Sequence, residues 1–573
     1  MKHLKIAASL VNLAVLALGT VSCSTVPQSA GGPGAHAMLA PHLPRTVAEG
    51  SAAMAGPVGP KQRLNLAIHL PLRNQAQLTQ LLKDIYDPRS PNFHKYLSVA
   101  EFTKRFAVTA KDYDTVVAWA KKNGFKVTAK TPNRRLLAVE GPVSTVNRAF
   151  HVKVNYYRHP AEGRTFYSPD REPSVDGLAV PLLQITGMNN YVLPQSMLRR
   201  SGAASTTELA SATGSGPAGE FLPSDLRAAY YGKGPLTGTG QTIGIFSFDG
   251  YLASDVQLYY AKTGMSSKVP INNVLVNGFS GACTAVASPQ SSSCDDGEQV
   301  LDIVNAIGMA PGIDQILFYE GSSNTEILNQ MATDNIAKVL SSSWGWNPAD
   351  AASDDPIFQE FAAQGQSFVS ASGDDGAFNA STYSFPGVDP YITQVGGTVL
   401  TTTGPGGAWV RETAWSYSGG GYFSGTPIPG WQQLPGVINA SNLGSTTLRN
   451  SPDVAAEANF DNPTVVNGSF VTGYGGTSFA APRWAGFLAL VNQQSLANGK
   501  GTVGFINPAL YNLALSPNYS AALHDISSGA NPPTTGGGSG FNAVPGYDLV
   551  TGWGSPAGAL INQLAGSGTK ARR

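Results

Sequence analysis

The sequence predicts an α/β protein whose larger part is a doubly wound, mostly parallel sheet, preceded by a small α+β domain. Between residues 242 and 371 short apolar strands alternate with helical stretches, the pattern that covers a parallel sheet with helices on both faces. The alternation 64–157 is shorter and mixed, as in a small sandwich of helices on one sheet. Charge divides the chain in the same place. It is neutral overall, with 37 Lys+Arg and 37 Asp+Glu, yet residues 1–200 hold 25 against 11 and residues 201–573 hold 12 against 26.

In chain order, Met1-Lys2-His3-Leu4-Lys5 is a basic start followed by the apolar run Ile6 to Val21, an export signal over 1–23 rather than a membrane span. The expected location is extracellular, with the periplasm as the alternative. Lipidation of Cys23, in Thr20-Val21-Ser22-Cys23, would instead hold the protein at the cell envelope, and only then would it have a membrane partner. Residues 24–60 are Gly, Ala and Pro rich and read as a linker. The small domain, 61–192, predicts a strand at Leu64–Leu70, a helix at Gln75–Tyr86, a helix at Asp112–Asn123, and strands at Phe125–Val127 and Leu136–Val139. A helix at Val143–Phe150 and a strand at Val152–Tyr157 complete it. Residues 193–218, rich in small polar residues and containing Arg199-Arg200, read as an exposed, cleavable linker.

The large domain, 219–566, predicts strands at Thr242–Phe246, Ile316–Tyr319, Val339–Ser343 and Ser367–Ala371, with helices at Glu298–Ile307, Asn324–Thr333 and Asp355–Ala363. Residues 567–573 form a tail. Cys283 and Cys294, eleven apart, suit a disulfide in an oxidising compartment. A basic segment on an acidic body favours docking. Carboxylates paired across that interface would have depressed pKa values, so acid would release the segment. Nothing in the neutral composition suggests a nucleic-acid partner.

The run Gly473-Tyr474-Gly475-Gly476-Thr477-Ser478-Phe479-Ala480-Ala481-Pro482 reads as a glycine turn delivering Ser478 to the first turn of an apolar helix. There the helix dipole favours developing negative charge, which suits a nucleophile. Its base is not histidine. Seven of the eight histidines precede residue 160, and His524 neighbours a candidate metal ligand. Two acidic sites fill the gap. Glu298 and Asp302 are four apart and share a helix face, so each raises the other's proton affinity. Asp374, in Ser372-Gly373-Asp374-Asp375-Gly376 at a strand's carboxyl end, could be held protonated and donate to an oxyanion.

Taken in order, Glu-x-x-x-Asp ahead of Ala310-Pro311-Gly312, then Ser343-Trp344-Gly345, Gly373-Asp374-x-Gly376 and Gly476-Thr477-Ser478, resemble the sedolisin (serine-carboxyl) peptidases. Asp87-Pro88-Arg89-Ser90-Pro91, Phe102-Thr103-Lys104-Arg105-Phe106 and Thr131-Pro132-Asn133-Arg134-Arg135 resemble the kumamolisin-type activation domain. The resemblance implies a subtilisin-like sheet domain behind a ferredoxin-like prodomain that acts as an intramolecular inhibitor. It implies Ser478 as nucleophile, Glu298 as general base and acid, Asp302 as its charge-coupled partner, and Asp374 as oxyanion stabiliser. The chain departs from the family where Trp346-Asn347-Pro348 lacks an acid and where Ser247 replaces a glutamate. Ser384 before Phe385-Pro386 gives no ground for a basic preference at that cleft.

Near the C-terminus Asp525 and Asp548 sit in glycine-rich turns, hard oxygen donors of the kind calcium takes. The family's site maps to the Asp525 and Asp548 side chains and the carbonyls of Ile526, Val544 and Gly546, implying one structural Ca2+. The expected activity is a secreted acid endopeptidase, made as a self-processing proenzyme, that cuts proteins or peptides through an acyl-enzyme. The rivals are a tripeptidyl-peptidase of the same family and a non-catalytic exported module on the same fold.

Overall fold

The computed structural model describes residues 36–201, 213–283, 294–346, 351–378, 385–534 and 538–566. The expected export signal, Cys23 and the tail lie outside them.

In the small domain β1 (Arg63–His69) has a run of buried residues at its C-terminal end, and helices α1 (Gln75–Ile85), α2 (Val99–Phe106) and α3 (Ala110–Lys122) follow. Then come β2 (Lys126–Lys130), β3 (Leu136–Pro142), helix α4 (Val143–Phe150) and β4 (Gln184–Thr186). The sheet order is β2-β3-β1-β4, antiparallel throughout, which is the ferredoxin-like arrangement. Leu66, Ile68, Val116, Val146 and Phe150 form its core. The predicted last strand needs correction. Residues 154–158 pair with Met54–Pro57 and Thr165–Pro169 in a separate three-stranded sheet. An alternating strand fits either sheet, and only tertiary pairing selects the three-residue β4 as neighbour to β1.

Helices α1 and α2 seat the small domain on the large one. Leu78, Leu82, Ile85, Phe102 and Phe106 pack with Ala362, Ala363 and Phe505 of the large domain. α2 starts with a capping box between Ser98 and Glu101. The Tyr86 hydroxyl donates to the Ala362 carbonyl at 2.7 Å and accepts from the Phe505 N–H at 3.0 Å. The expected carboxylate pairs are not what joins the halves. Among the described residues the one ion pair between 1–200 and the remainder is Arg199–Asp375. Glu360, buried at the interface, accepts from Asn133 and Gln364, and burial lifts its pKa to about 7 against the opposing Arg135 charge.

The linker holds two short strands, β5 (Gln195–Ser196) and β6 (Arg199–Arg200). In the large domain β7 (Thr242–Ser247), β8 (Ile271–Leu275), β9 (Gln315–Glu320), β10 (Val339–Ser342), β12 (Ser367–Ala371), β13 (Thr393–Thr402) and β14 (Trp409–Ala414) form the sheet, in the order β8-β9-β7-β10-β12-β13-β14. β15 (Val454–Glu457) pairs with β13, and every pairing is parallel except β13 with β14. Short β11 (Trp344–Gly345) leaves the sheet after β10, and β16 (Ser469–Gly475) leads into the central helix. Helices α5 (Gly297–Met309), α6 (Asn324–Asp334) and α7 (Ala351–Ala363) make the crossovers.

Helix α8 (Thr477–Ala497) is buried from Thr477 through Asn492 and is apolar nearly all round, so it lies in the core and not on a face. Burial of each of Phe487, Leu488, Leu490 and Val491 contributes about 1.5–3 kcal/mol. α8 packs along α5, and this fixes the serine and the carboxylate helices against each other. Cys283 and Cys294 are joined by a disulfide. Among the described residues no helix is long and apolar enough to cross a membrane.

Candidate active site

The parallel sheet aligns its carboxyl ends, and residues just beyond β10 and β12 meet the starts of α5 and α8 there. Ser478, Glu298, Asp302 and Asp374 are all buried at this edge, the most exposed being Asp374 at 6%. The structure brings all four together.

Ser478 is the second residue of α8, behind Gly476 at φ +144°. A Cβ at Gly476 would stand 2.2 Å from the Met197 carbonyl oxygen, 2.7 Å from Asp374 Oδ2 and 3.0 Å from Ser478 Oγ. Only glycine allows that convergence. Farther along the helix Pro482 has no N–H to give the Ser478 carbonyl, and the Ser343 hydroxyl lies 3.2 Å from that oxygen instead.

Glu298 and Asp302 occupy successive turns of α5. Burial is the main cause lifting Glu298 well above the usual carboxylate range, followed by the Asp302 and Asp374 charges, with the Ser196 and Ser478 hydroxyls opposing. Among the described residues neither Glu298 oxygen nor Ser478 Oγ has a hydrogen bond of ordinary geometry. Burial also lifts Asp302, against the Ser343 hydroxyl 2.5 Å from its Oδ1. Two such acids titrate as one unit and share a proton. The Ser343 hydroxyl, which donates to Asp302 Oδ1, also lies 3.2 Å from the Ser478 carbonyl, so it links the acid pair to the first turn of α8.

Asp374 is held by the start of α8. Its Oδ1 accepts from the Thr477 N–H and the Thr477 hydroxyl, both at 2.8 Å, and Thr477 Oγ1 accepts from the Gly373 N–H at 3.1 Å. Oδ2 has no hydrogen-bond partner among the described residues and, like the Met197 carbonyl, lies against Gly476. Burial raises the carboxyl to about 7 in spite of the two Thr477 donors, so Oδ2 carries a proton in acid.

The linker, expected to be exposed, lies in this cleft at its start. β5 runs antiparallel to β11, Gln195 opposite Gly345 and Ser196 opposite Trp344, and the Met197 N–H donates to the Ser343 carbonyl at 3.0 Å. The Met197 carbonyl accepts from the Ser478 N–H at 3.2 Å, and β6 then pairs with β16, Arg199 opposite Gly475. Met197 is buried. Sequence reading passed over Ser343, Thr477 and Met197. The first two stand inside the quoted motifs, next to Trp344 and Ser478, but their contacts are set by chain folding alone.

At the C-terminal turns Asp525 accepts from the Gly546 N–H at 3.1 Å and from the Tyr519 hydroxyl at 3.0 Å. Asp548 accepts from the N–H groups of Val544 at 3.3 Å, Val550 at 2.8 Å and Thr551 at 2.7 Å. Asp525, Val544, Gly546 and Asp548 are thus adjacent, Ile526 follows Asp525 in the chain, and neither carboxylate has a cationic partner among the described residues. Two neighbouring carboxylates with no cationic partner are oxygen donors of the kind a hard divalent ion takes. The described residues hold no cluster of three or more His, Cys, Asp or Glu side chains, so remaining ligands would be carbonyls and water.

Residues 51–189 match the Pro-kumamolisin activation domain, and residues 278–515 match the subtilase family. The chain is 31% identical over 533 residues to sedolisin of Pseudomonas sp. (strain 101), covering 86% of this chain and 85% of that one. It is 28% identical over 545 residues to kumamolisin of Bacillus sp. (strain MN-32), covering 90% and 94%. It is also 27% identical over 614 residues to tripeptidyl-peptidase sed1 of Aspergillus fumigatus, covering 87% and 92%.

Proposed function

Because the chain belongs to the sedolisin (serine-carboxyl) peptidase family, we propose that it is a secreted, self-processing endopeptidase that cuts proteins and peptides in acid. The observation that carries this reading is a peptide carbonyl, that of Met197, resting on the Ser478 N–H beside the free oxygen of Asp374.

Glu298 takes the proton of Ser478 Oγ as that oxygen bonds to the substrate carbonyl carbon. The carbonyl oxygen becomes an oxyanion held by the Ser478 N–H and the Asp374 O–H. Collapse breaks the C–N bond, and Glu298 returns its proton to the leaving nitrogen. Water, deprotonated by Glu298, then attacks the acyl carbon, and as the ester C–O bond breaks Glu298 passes that proton to Ser478 Oγ, freeing the acid product and restoring the serine. Asp302 keeps the shared proton and its link to Ser343 throughout. Carboxylates suit this work in acid, where a histidine base would be fully charged.

The linker occupies the cleft on both sides of the serine, from Gln195 to Arg200. The precursor's chain runs through the cleft without an end at the serine, which is how an internal bond is presented for cutting. Asp525, Asp548 and the carbonyls of Ile526, Val544 and Gly546 would hold one calcium ion, whose charge would pin these turns and take no part in the reaction.

Glu298→Gln tests the base. It keeps the side chain's shape and removes the proton acceptor, so kcat should fall by about 10²–10⁴ with KM little changed. Retention of more than about a tenth of wild-type kcat would assign the base elsewhere.

A further inference from the structure

The linker's register in the cleft identifies the bond presented for cutting. With the Met197 carbonyl on the Ser478 N–H and the Met197 N–H on the Ser343 carbonyl, the bond over the nucleophile is Met197–Leu198. Arg199 is therefore the second residue on the leaving side. Its backbone is held by pairing with Gly475. Arg199 Nη1 donates to Asp375 Oδ1 at 3.0 Å and to the Asp374 carbonyl, and the guanidinium lies over the Tyr417 ring at 4.6 Å from its centroid. Asp375 is itself held in place, accepting at Oδ1 from the Thr534 hydroxyl at 3.1 Å and at its carbonyl from the Thr534 N–H at 2.9 Å.

We infer that Asp375, Tyr417 and the Asp374 carbonyl form a subsite for a cationic side chain at the second position beyond the cut bond, filled in the precursor by Arg199. The inference rests on Ser478 being the nucleophile. A carboxylate, a ring face and a carbonyl around one guanidinium are three attractions that a neutral side chain cannot all make. The next residue provides the contrast. Arg200 is 6.0 Å from the Tyr474 ring centroid and makes no ion pair among the described residues. The chain should therefore cut itself first between Met197 and Leu198, and the mature enzyme should favour substrates with Arg or Lys two residues past the cut. Arg199 is 33% exposed and Asp375 48%, so solvent screens the pair and the preference is moderate, about tenfold in kcat/KM.

The test has two parts. The precursor is acidified, and the first new N-terminus is read by sequencing at early times. Quenched-fluorescence peptides carrying residues 193–202, with Arg or Gln at the Arg199 position, are then given to the mature enzyme and to its Asp375→Asn and Asp375→Lys variants. The inference expects a first N-terminus at Leu198 and an Arg-over-Gln ratio near tenfold. That ratio should fall to about one in Asp375→Asn and below one in Asp375→Lys. As a ratio, it does not depend on how much of a variant is folded. A first cut at another bond, a wild-type ratio near one, or a ratio unchanged by Asp375→Asn overturns the subsite while the peptidase stands. Peptides and precursor that stay uncut, or a Ser478→Ala precursor that still processes itself, overturn the nucleophile and the subsite with it.

Discussion

At Asp374 one oxygen is already committed to Thr477, and in the proposed reaction the other can donate to the substrate carbonyl only while it carries a proton. Burial sets that proton's affinity at about 7, so the donor is present below that pH. As pH rises through it, a carboxylate replaces the donor and opposes the oxyanion, and activity falls. Asp374→Ala should lose about 10²–10³ in kcat in acid, with the difference from wild type narrowing as pH rises past about 7. Asp374→Asn should differ, because its carbonyl can keep both Thr477 bonds while its amide donates without titrating. Its rate profile should extend to higher pH than that of the wild type. An alkaline limb unchanged in Asp374→Asn would mean that another group sets it. Ser478, Glu298, Asp302 and Asp374 were legible in the sequence because each stands in a dense motif with chemistry that needs that residue type. Ser343 was not, since one hydroxyl in Ser341-Ser342-Ser343 looks like the next until folding sets it against Asp302 and the Ser478 carbonyl.

Among the elements, α5 and α8 were readable from their apolar runs, α8 also from the glycine turn ahead of it, and so were β7, β9, β10 and β12, four of the sheet's five inner strands. β8 was not, since its exposed and half-buried residues lack the continuous apolar signal of an inner strand. β13 escaped because glycines interrupt it at Gly396 and Gly397, where a Cβ would strike Pro452 and Ala458. The 525–548 turns are the element whose stability depends on a ligand in this account. Removing calcium with a chelator should lower Tm by about 5 °C. Asp548→Asn should start from the lower Tm and show no response to chelation. A wild-type Tm indifferent to both chelator and added calcium would contradict the site.

For the molecule as a whole, the charge asymmetry was visible in the sequence, but the acid-sensitive groups were not. The buried interface carboxylate Glu360 binds its proton more tightly when docked, so acid does not loosen that contact. Two prodomain histidines behave in the opposite way. His69, its Nε2 3.0 Å from Thr186 Oγ1 and 3.4 Å from Thr325 Oγ1 of the large domain, is pushed down to about 3 by burial, then by the Arg135 and His42 charges. His94 is pushed down to about 4 by burial and by Lys500 across the interface. The stability these neutral rings contribute is whole above their ordinary value of about 6.5 and is lost as pH falls toward 3–4. Replacing both with Gln should move the midpoint of acid processing down by about half a pH unit or more, read by gel after timed incubation. A midpoint that stays put would remove the histidines from the release step.

The most direct test of the central claim is acidification of the purified precursor from about pH 7 to about pH 4, with calcium supplied and Ser478→Ala as control, followed by mass and peptidase activity. A fragment of roughly 375 residues should appear together with activity and never form in the Ser478→Ala precursor. A wild-type precursor that stays whole and inert, or a control that is cut just as fast by itself, would contradict the claim.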